Sequence, residues 1–485
     1  MSGLSMLWVA VGGLALVGCI GERGATDSTG NASDRGRSDA ADEDHVLGCD
    51  PPWAPAGFCG GQEILVNSEA EAAVGRVGLL STRVLAVGVP SMAILGDGRI
   101  ALTWRVLWEC DEEGSSDRSL CFSPWQRATS VELRVIDARD GSVGPQDRLA
   151  EGWTVGDCDQ CGLGLGLPLV AAKASSKWLA AWAQFSQQQG GSAGTSFRGI
   201  SSAAAGSGFE IFHSEKTATA ASLLSVASGD SVLVWTEGNS EFRFSRSASD
   251  LVDIWTPPES LHQVAEAVRI GALATAATPN GELVLTWEES PEEAYEHGQS
   301  VRVMLFDESL SLETGMASIG SSAHDAAFSP DVKVMGDGRL VVVYEKEQDG
   351  LLSVEGRFLD STTLEAGPPF AVTDDVAGIV AHPRVAVLEG DRLAVTWEGT
   401  DPDSGTDTHV MARVFEPDGI AVGDAVRVDL SVGAALGWPQ PLAVSNEGFV
   451  VVWRRVLPGG VAKQTGVQGI VARMFAAHCD SDSSE

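Results

Sequence analysis

From about residue 85 onward, the chain is a series of short segments in which apolar and polar residues alternate. Residues 339–344 are a representative segment: β-branched, aromatic at the end, and too short for a helix. The turn at 336–338 just before it contains Gly and Asp, which tolerate the positive φ angles of a tight hairpin. The pattern therefore predicts short antiparallel strands joined by hairpins.

The same unit returns seven times, and its second strand always ends in an aromatic residue. After a first spacing of 78 residues, the units recur about every 50 to 60 residues, and most include two further strands. Four strands per unit at this period are typical of a propeller blade. The seven aromatics are Trp104, Trp182, Trp235, Trp287, Tyr344, Trp397 and Trp453, and fourteen residues before five of them stand Pro90, Pro168, Pro330, Pro383 and Pro439.

The two ends of the repeat region complement each other. The seventh unit stops after its third strand near residue 475, and an isolated strand at 63–67 precedes the first unit. If that strand pairs with the last unit, no blade keeps an incomplete edge. The sequence thus predicts an all-β, seven-bladed β-propeller closed by an N-terminal strand. Six blades, with the widely spaced first unit separate, is the alternative.

The amino terminus predicts export. An apolar run at 4–17 has the length of a signal-peptide core and ends in Leu16-Val17-Gly18-Cys19, which resembles the lipobox of bacterial lipoproteins. The resemblance implies cleavage before Cys19 and lipidation of that residue; an ordinary secretory signal is the alternative. We expect a signal peptide at 1–18, a lipidated, flexible acidic tether at 19–58, the propeller at 59–480 and a disordered tail at 481–485.

Charge narrows the range of partners. The chain has 67 acidic and 32 basic residues and a formal net charge of -35. Such a surface has no basic excess to neutralise nucleic acid or anionic lipid. We expect a monomer that contacts membrane through its lipid anchor only, on the periplasmic face or cell surface (outer membrane) of a Gram-negative bacterium.

Eight cysteines in an exported chain predict disulfides. Cys59 and Cys479 flank the predicted closing strands, and a bond between them would join the ends of the ring; pairing of Cys59 with Cys49 is the alternative. Two further disulfides are expected among the four cysteines of the loops around the first blade, although four thiolates also suit a zinc site. These four are Cys110, Cys121, Cys158 and Cys161.

Acidic residues concentrate in the loops that follow the second strands. Glu288, Glu345 and Glu398 come directly after their aromatics, which predicts a partial ring of carboxylates at one mouth of the propeller. The alternative is that these are solvated loops. In the loop at 401–407, carboxylates alternate, an arrangement that suits Ca²⁺. The predicted calcium ligands are Asp401, Asp403 and Asp407.

Histidines add a further hypothesis, a shared metal site or a general base, because four of them fall in loops of the same predicted face. These are His297, His324, His382 and His409. The chain contains no phosphate-binding Gly loop and no His-Glu-x-x-His or Gly-x-Ser-x-Gly motif.

One hairpin of the third unit resembles the Asp-box of sialidase-type propellers. Asp250 and Trp255 match the box in type and spacing, whereas Ala248, Val252 and Ile254 depart from it. The resemblance supports the propeller fold. Sialidases use a Tyr nucleophile, and the two Tyr of this chain, one of them Tyr344 at a repeated aromatic position, do not fit that role.

The sequence therefore favours a lipid-anchored propeller that acts as a binding or assembly module for a protein or glycan ligand on the loop face. The alternative function is a carbohydrate-active enzyme, a hydrolase or lyase, that uses the carboxylates of that face. No catalytic residue and no cofactor other than calcium is assigned.

Overall fold

A computed structural model describes residues 59–66, 83–109, 127–154, 163–173, 176–186, 194–202, 208–238, 240–249, 253–265, 268–291, 299–311, 313–320, 326–373, 380–400, 408–430, 435–444, 448–457 and 467–476. These ranges are almost entirely strand and turn; their one helical segment is a 3₁₀ turn at Glu389–Asp391. Within these described ranges, no helix has the length and apolar character needed to cross a membrane.

Seven antiparallel sheets follow one another along the chain. A single strand, Cys59–Leu65 (β1), precedes them. Sheets one to three contain Arg83–Val87 (β2), Ser91–Ile94 (β3), Arg99–Glu109 (β4), Arg127–Asp137 (β5) and Asp147–Thr154 (β6); Leu163–Ala172 (β7), Trp178–Ser186 (β8), Gly194–Ser201 (β9) and Phe209–Ser214 (β10); and Ala218–Ser225 (β11), Ser231–Glu237 (β12), Glu241–Ser247 (β13) and Glu259–Gln263 (β14).

Sheets four to six are built from four strands each, and sheet seven contributes three of its own. They contain Val268–Ala277 (β15), Leu283–Pro291 (β16), Ser300–Phe306 (β17) and Glu313–Ile319 (β18); Ala326–Val334 (β19), Leu340–Gln348 (β20), Leu351–Leu359 (β21) and Ala366–Ala371 (β22); Val380–Val387 (β23), Leu393–Thr400 (β24), Thr408–Phe415 (β25) and Ala421–Arg427 (β26); and Ala435–Val444 (β27), Gly448–Leu457 (β28) and Val467–Ala476 (β29).

The sheets form a closed ring. The first strands contact one another in chain order, from β3 through β7, β11, β15, β19 and β23 to β27, and β27 contacts β3 again. The predicted seven-bladed β-propeller is therefore confirmed, with the sheets as blades one to seven and their first strands around the axis. The first strand of blade one is split, because β2 and β3 both pair with β4.

Every contact between neighbouring blades contains a hydrophobic core. Each cluster of buried residues draws on two adjacent blades, and one of them joins blade seven to blade one through Trp104, Val450 and Ile470. The seven repeated aromatics lie in these clusters and are at most 4% exposed. They stabilise the ring by burying large apolar surfaces that a single blade would leave in water.

The N-terminal strand closes the ring, as the sequence predicts. β1 pairs antiparallel with β29 at the outer edge of blade seven, and Glu63 lies opposite Arg473. The Arg473 side chain is 1% exposed; its Nε donates to Gly61 O at 2.8 Å, and its Nη1 donates to Val428 O in blade six at 2.9 Å. Arg473 thus ties the closing strand to two blades.

We expect Arg473→Met to lower the free energy of unfolding by about 3 kcal/mol, because it leaves buried carbonyl groups without their charged donor. Melting temperature and urea midpoint measure the change. Arg139→Met is the matched control, since the Arg139 side chain is 79% exposed and its loss should cost less than about 0.5 kcal/mol. Equal effects of the two substitutions would contradict the role of Arg473 in closure.

Candidate functional site

The second strand of each blade presents alternate residues to its two neighbours. The repeated aromatic always packs in the cluster shared with the preceding blade: Trp453 lies in the core of blades six and seven, and Trp397 in that of blades five and six. Because side chains alternate along a strand, the next residue faces the following blade. The position after the aromatic is therefore the place where one blade can reach the next.

Three carboxylates at this position hold the following blade by its backbone. Each accepts a hydrogen bond from one N–H of the neighbouring first strand. The pairs are Glu288 Oε2 with Ser329 N at 3.3 Å, Glu345 Oε1 with His382 N at 2.8 Å, and Glu398 Oε1 with Trp438 N at 2.5 Å. Glu345 and Glu398 are buried. These carboxylates lie in blade interfaces, neither in an open ring nor in solvated loops.

The three donors lie in the same unusual backbone conformation. Ser329, His382 and Trp438 have φ angles of 51°, 53° and 59°, each directly before one of the repeated Pro residues, and Leu167 in blade two has 49°. The strand register shifts here, which marks a β-bulge in each first strand. Positive φ in residues other than Gly is strained, and the carboxylate bond helps to hold it in blades five to seven.

The residue before the repeated Pro, and its equivalents in the blades that lack the Pro, form a rim around the axis. All seven are partly exposed. Blades one to four have only apolar residues at this position, whereas blades five to seven have a hydroxyl, an imidazole and an indole. In order, the rim residues are Val89, Leu167, Ala220, Ala272, Ser329, His382 and Trp438.

On the rim, His382 and Trp438 form one contact network with Glu398. The imidazole Nδ1 lies 2.7 Å from Glu398 Oε1, and the two rings stack with centroids 3.8 Å apart. Gly437 permits this approach, because a Cβ at that position would collide with the Glu398 carboxyl group. The Arg454 guanidinium carbon lies 5.6 Å from the Trp438 ring centroid. Aromatic surface, carboxylate and cation therefore meet around the first strand of blade seven.

Blades seven and one carry arginines where blades four to six carry carboxylates. Arg454 and Arg105 directly follow Trp453 and Trp104. Arg454 Nη1 donates to Val87 O at 3.0 Å, and Arg105 Nη1 donates to Leu165 O at 3.3 Å, each in the following blade. Burial lowers the pKa of both guanidinium groups; for Arg454, the Glu398 charge opposes this effect and the Arg105 charge adds to it.

Burial affects the protonation of two of these carboxyl groups. Burial raises the pKa of both Glu288 and Glu345 above its ordinary value, and the backbone N–H groups of Ser329 and His382 oppose that rise. The Glu345 charge raises the pKa of Glu288 further. A raised carboxyl pKa is also a property of general acids.

The predicted histidine cluster does not form among the residues with described positions. His382 contacts Glu398, whereas His409 is buried and lies 3.0 Å from Asp429 through Nδ1. His297 and His324 lie outside the described residues. In the described ranges, no group of three His, Cys, Asp or Glu residues is arranged to hold a metal ion.

The other predicted sites fall mostly outside the described residues. This holds for the calcium ligands Asp401, Asp403 and Asp407, for Cys19, Cys49, Cys110, Cys121, Cys158, Cys161 and Cys479, and for Asp250 of the Asp-box. Cys59 begins β1 opposite Ala476. The cysteine pairings, the calcium site and the Asp-box remain predictions.

Tyr344 is held as a neutral, buried phenol. Its hydroxyl donates to Glu355 Oε2 at 2.9 Å and accepts from Arg357 Nε at 3.1 Å. Burial raises the pKa of Tyr344, and the Glu355 charge adds to the effect. A protonated, 2% exposed phenol is a structural residue and a poor nucleophile.

Comparisons with known proteins find structural similarity at low sequence identity. No protein-family model and no curated protein sequence matches the chain. Similar solved structures include polysaccharide lyase Uly1, with 9% identity over 87% of this chain and 97% of that one and a TM-score of 0.48. A Dyadobacter fermentans protein of unknown function has 11% identity over 81% and 99%, with a TM-score of 0.46. The α-L-arabinofuranosidase of Fusarium graminearum has 15% identity over 69% and 94%, with a TM-score of 0.43.

Sequence reasoning missed the rim and the two arginines. Arg105 and Arg454 follow their aromatics directly, as the three glutamates do, and Ser329 and Trp438 precede repeated Pro residues. Aligning the seven units on the aromatic, and asking which positions break the repeat, is the signal that finds them.

We expect Glu345→Gln to become more favourable relative to wild type as pH rises from 4 to 8. The folded-state pKa of Glu345 is raised above its ordinary value near 4.5. The carboxyl group therefore favours folding in its protonated form and destabilises the fold as pH rises through the raised pKa. Gln stays neutral and keeps an oxygen that can accept the His382 N–H.

Melting temperature against pH measures this difference, and Glu389→Gln is the control because Glu389 is exposed. The control should show no such trend. A Glu345→Gln curve parallel to that of wild type would contradict the buried, raised carboxyl group.

Proposed function

We propose that the chain is a lipid-anchored extracytoplasmic propeller that acts as a binding module, with its ligand at the rim of blades five to seven. The ligand is a glycan or a protein, and the propeller works as a monomer held to the membrane by its anchor. The proposed location is the periplasmic face or the cell surface (outer membrane) of a Gram-negative bacterium.

The observation that carries this proposal is the asymmetry of the rim. Ring closure requires only a residue that fits the bulge, and Ala220 and Ala272 do so with small side chains. Trp438 and His382 instead leave aromatic surface partly exposed on strained backbone. Strain of this kind and aromatic surfaces beside a few polar groups are typical of ligand sites.

A carbohydrate-active enzyme is the second candidate function. The raised pKa of Glu288 and Glu345 supports it, since a hydrolase needs a protonated carboxyl group. The same carboxylates are occupied by hydrogen bonds to the neighbouring blade. That occupation favours binding over catalysis.

We expect Trp438→Ala to weaken ligand binding by at least about 30-fold, the usual effect of losing a central aromatic anchor. The assay combines a panel of immobilised oligosaccharides with a quantitative pull-down from the cell envelope of the source organism. Leu167→Ala is the matched control, because Leu167 occupies the same rim position with a similar φ of 49°.

A ligand retained by Leu167→Ala and lost by Trp438→Ala supports the binding function. Ligands bound equally by both variants would contradict the assignment of the rim. Analysis of the same oligosaccharides for cleavage products decides the alternative: turnover by wild type that Glu345→Gln abolishes would replace the binding module by an enzyme.

We expect radiolabelled palmitate to enter the wild-type chain in its source organism and to be absent from Cys19→Ser. Cys49→Ser is the control, because it removes a nearby cysteine and leaves the lipobox-like sequence intact. Equal labelling of the Cys19→Ser variant would contradict the proposed lipid anchor.

A further inference from the structure

Arg105 and Arg454, which follow the aromatics of blades one and seven, have few anionic neighbours; the charge of Glu398 acts on Arg454. In the ranges that the structure describes, neither Arg105 nor Arg454 forms a salt bridge with a carboxylate. Each uses one N–H to reach a carbonyl oxygen of the next blade. The Nε of Arg454 is buried without a hydrogen-bond partner. Both side chains are partly exposed and carry further N–H donors on their terminal nitrogens.

The two guanidinium groups lie at neighbouring interfaces, Arg454 between blades seven and one and Arg105 between blades one and two. Arg454 reaches Val87 O, and the next residue, Gly88, donates its N–H to Arg105 O at 2.7 Å. The charge of Arg105 is close enough to lower the pKa of Arg454. The Glu398 charge offsets part of this effect at Arg454. A further anion is favourable beside two like charges that are partly removed from water.

Closure of the ring does not require these cations. Blades two and three have Ala183 and Thr236 at the same position, and their interfaces are packed by hydrophobic clusters alike. An arrangement that costs stability and is dispensable for folding is typical of a functional site.

We propose that Arg105 and Arg454 bind the carboxylate of a small acidic saccharide at the rim beside blade one. This inference rests on the proposed binding function and names the ligand class. Two guanidinium groups present planar pairs of N–H donors that match a carboxylate. Trp438 lies next to Arg454 and offers the apolar surface on which the carbons of a sugar ring pack.

The charge of the whole chain limits the size of this ligand. A formal net charge of -35 repels a long polyanion. A saccharide with one carboxylate has a single negative charge, so the acidic chain repels it only weakly. That carboxylate can still pair with the two arginines. We therefore assign the site to a single uronate unit rather than to an extended acidic polymer.

The test is calorimetric titration of the full-length protein with methyl glycosides of glucuronic and galacturonic acid, and with the matching neutral glucosides and galactosides. Within each pair, the only difference is that the uronide has a carboxylate where the neutral glycoside has a hydroxymethyl group. We expect wild type to bind at least one uronide at least tenfold more tightly than its neutral counterpart. Arg105→Gln and Arg454→Gln should each weaken uronide binding at least tenfold, and Arg139→Gln, at a side chain that is 79% exposed, should leave it unchanged.

A second measurement needs no ligand. Because burial and the like charge of Arg105 oppose the attraction of Glu398 for Arg454, Arg454→Gln should leave the melting temperature of the free protein unchanged or raise it. A fall as large as that of Arg473→Met would show that the guanidinium group is structural and would overturn the inference.

The outcomes separate this inference from the binding function itself. Neutral and acidic glycosides bound equally, with loss in Trp438→Ala, would overturn the carboxylate site and leave the binding module standing. Absence of heat with all four glycosides also overturns the carboxylate site. The binding module fails only if the oligosaccharide panel and the pull-down show no ligand that depends on Trp438.

Discussion

The alternation of side chains along the second strand of each blade determines how neighbouring blades pack together. The aromatic that ends each unit packs against the preceding blade, and the next residue faces the following one. Each strand therefore contributes to two interfaces, one apolar and one polar. The ring depends on this arrangement because a blade exposes two faces that only its neighbours can cover. The junction where β1 closes the ring has the same arrangement, because the polar Arg473 side chain contacts both the closing strand and blade six.

The polar residues of this alternation also position the rim residues around the axis of the ring. Glu345 and Glu398 bind the N–H groups of His382 and Trp438, so the carboxylates stabilise the strained bulges that carry the rim residues. The interface and the candidate site are thus parts of one network. A change in a buried carboxylate is expected to shift the rim, even though the carboxylate itself is hardly exposed.

Local signals made the architecture predictable. Aromatic-ended strands at a regular period give the blade count, and the isolated strand before the first unit explains how the last blade is completed. The site was harder to predict from the sequence, because the role of Glu288, Glu345 and Glu398 depends on which face of the strand points to which blade. The sequence pattern places these carboxylates at a mouth; the folded chain places them between blades. His382 was predicted only as one of four loop histidines, and its stacking on Trp438 joins residues 56 positions apart.

Repetition itself helps to separate scaffold from site. A position occupied by Ala in one blade and by an aromatic or a charge in another is one where the fold tolerates many residues, so the larger or charged choice needs another cause. By that criterion Ala272 and Ala183 are scaffold, whereas Trp438 and Arg454 are candidates for function. The charges follow the same division: directly after the aromatic, blades four to six have carboxylates, whereas blades seven and one have guanidinium groups that form no salt bridge among the described residues. An anion is therefore favoured at one sector of the rim, despite the acidic character of the whole chain.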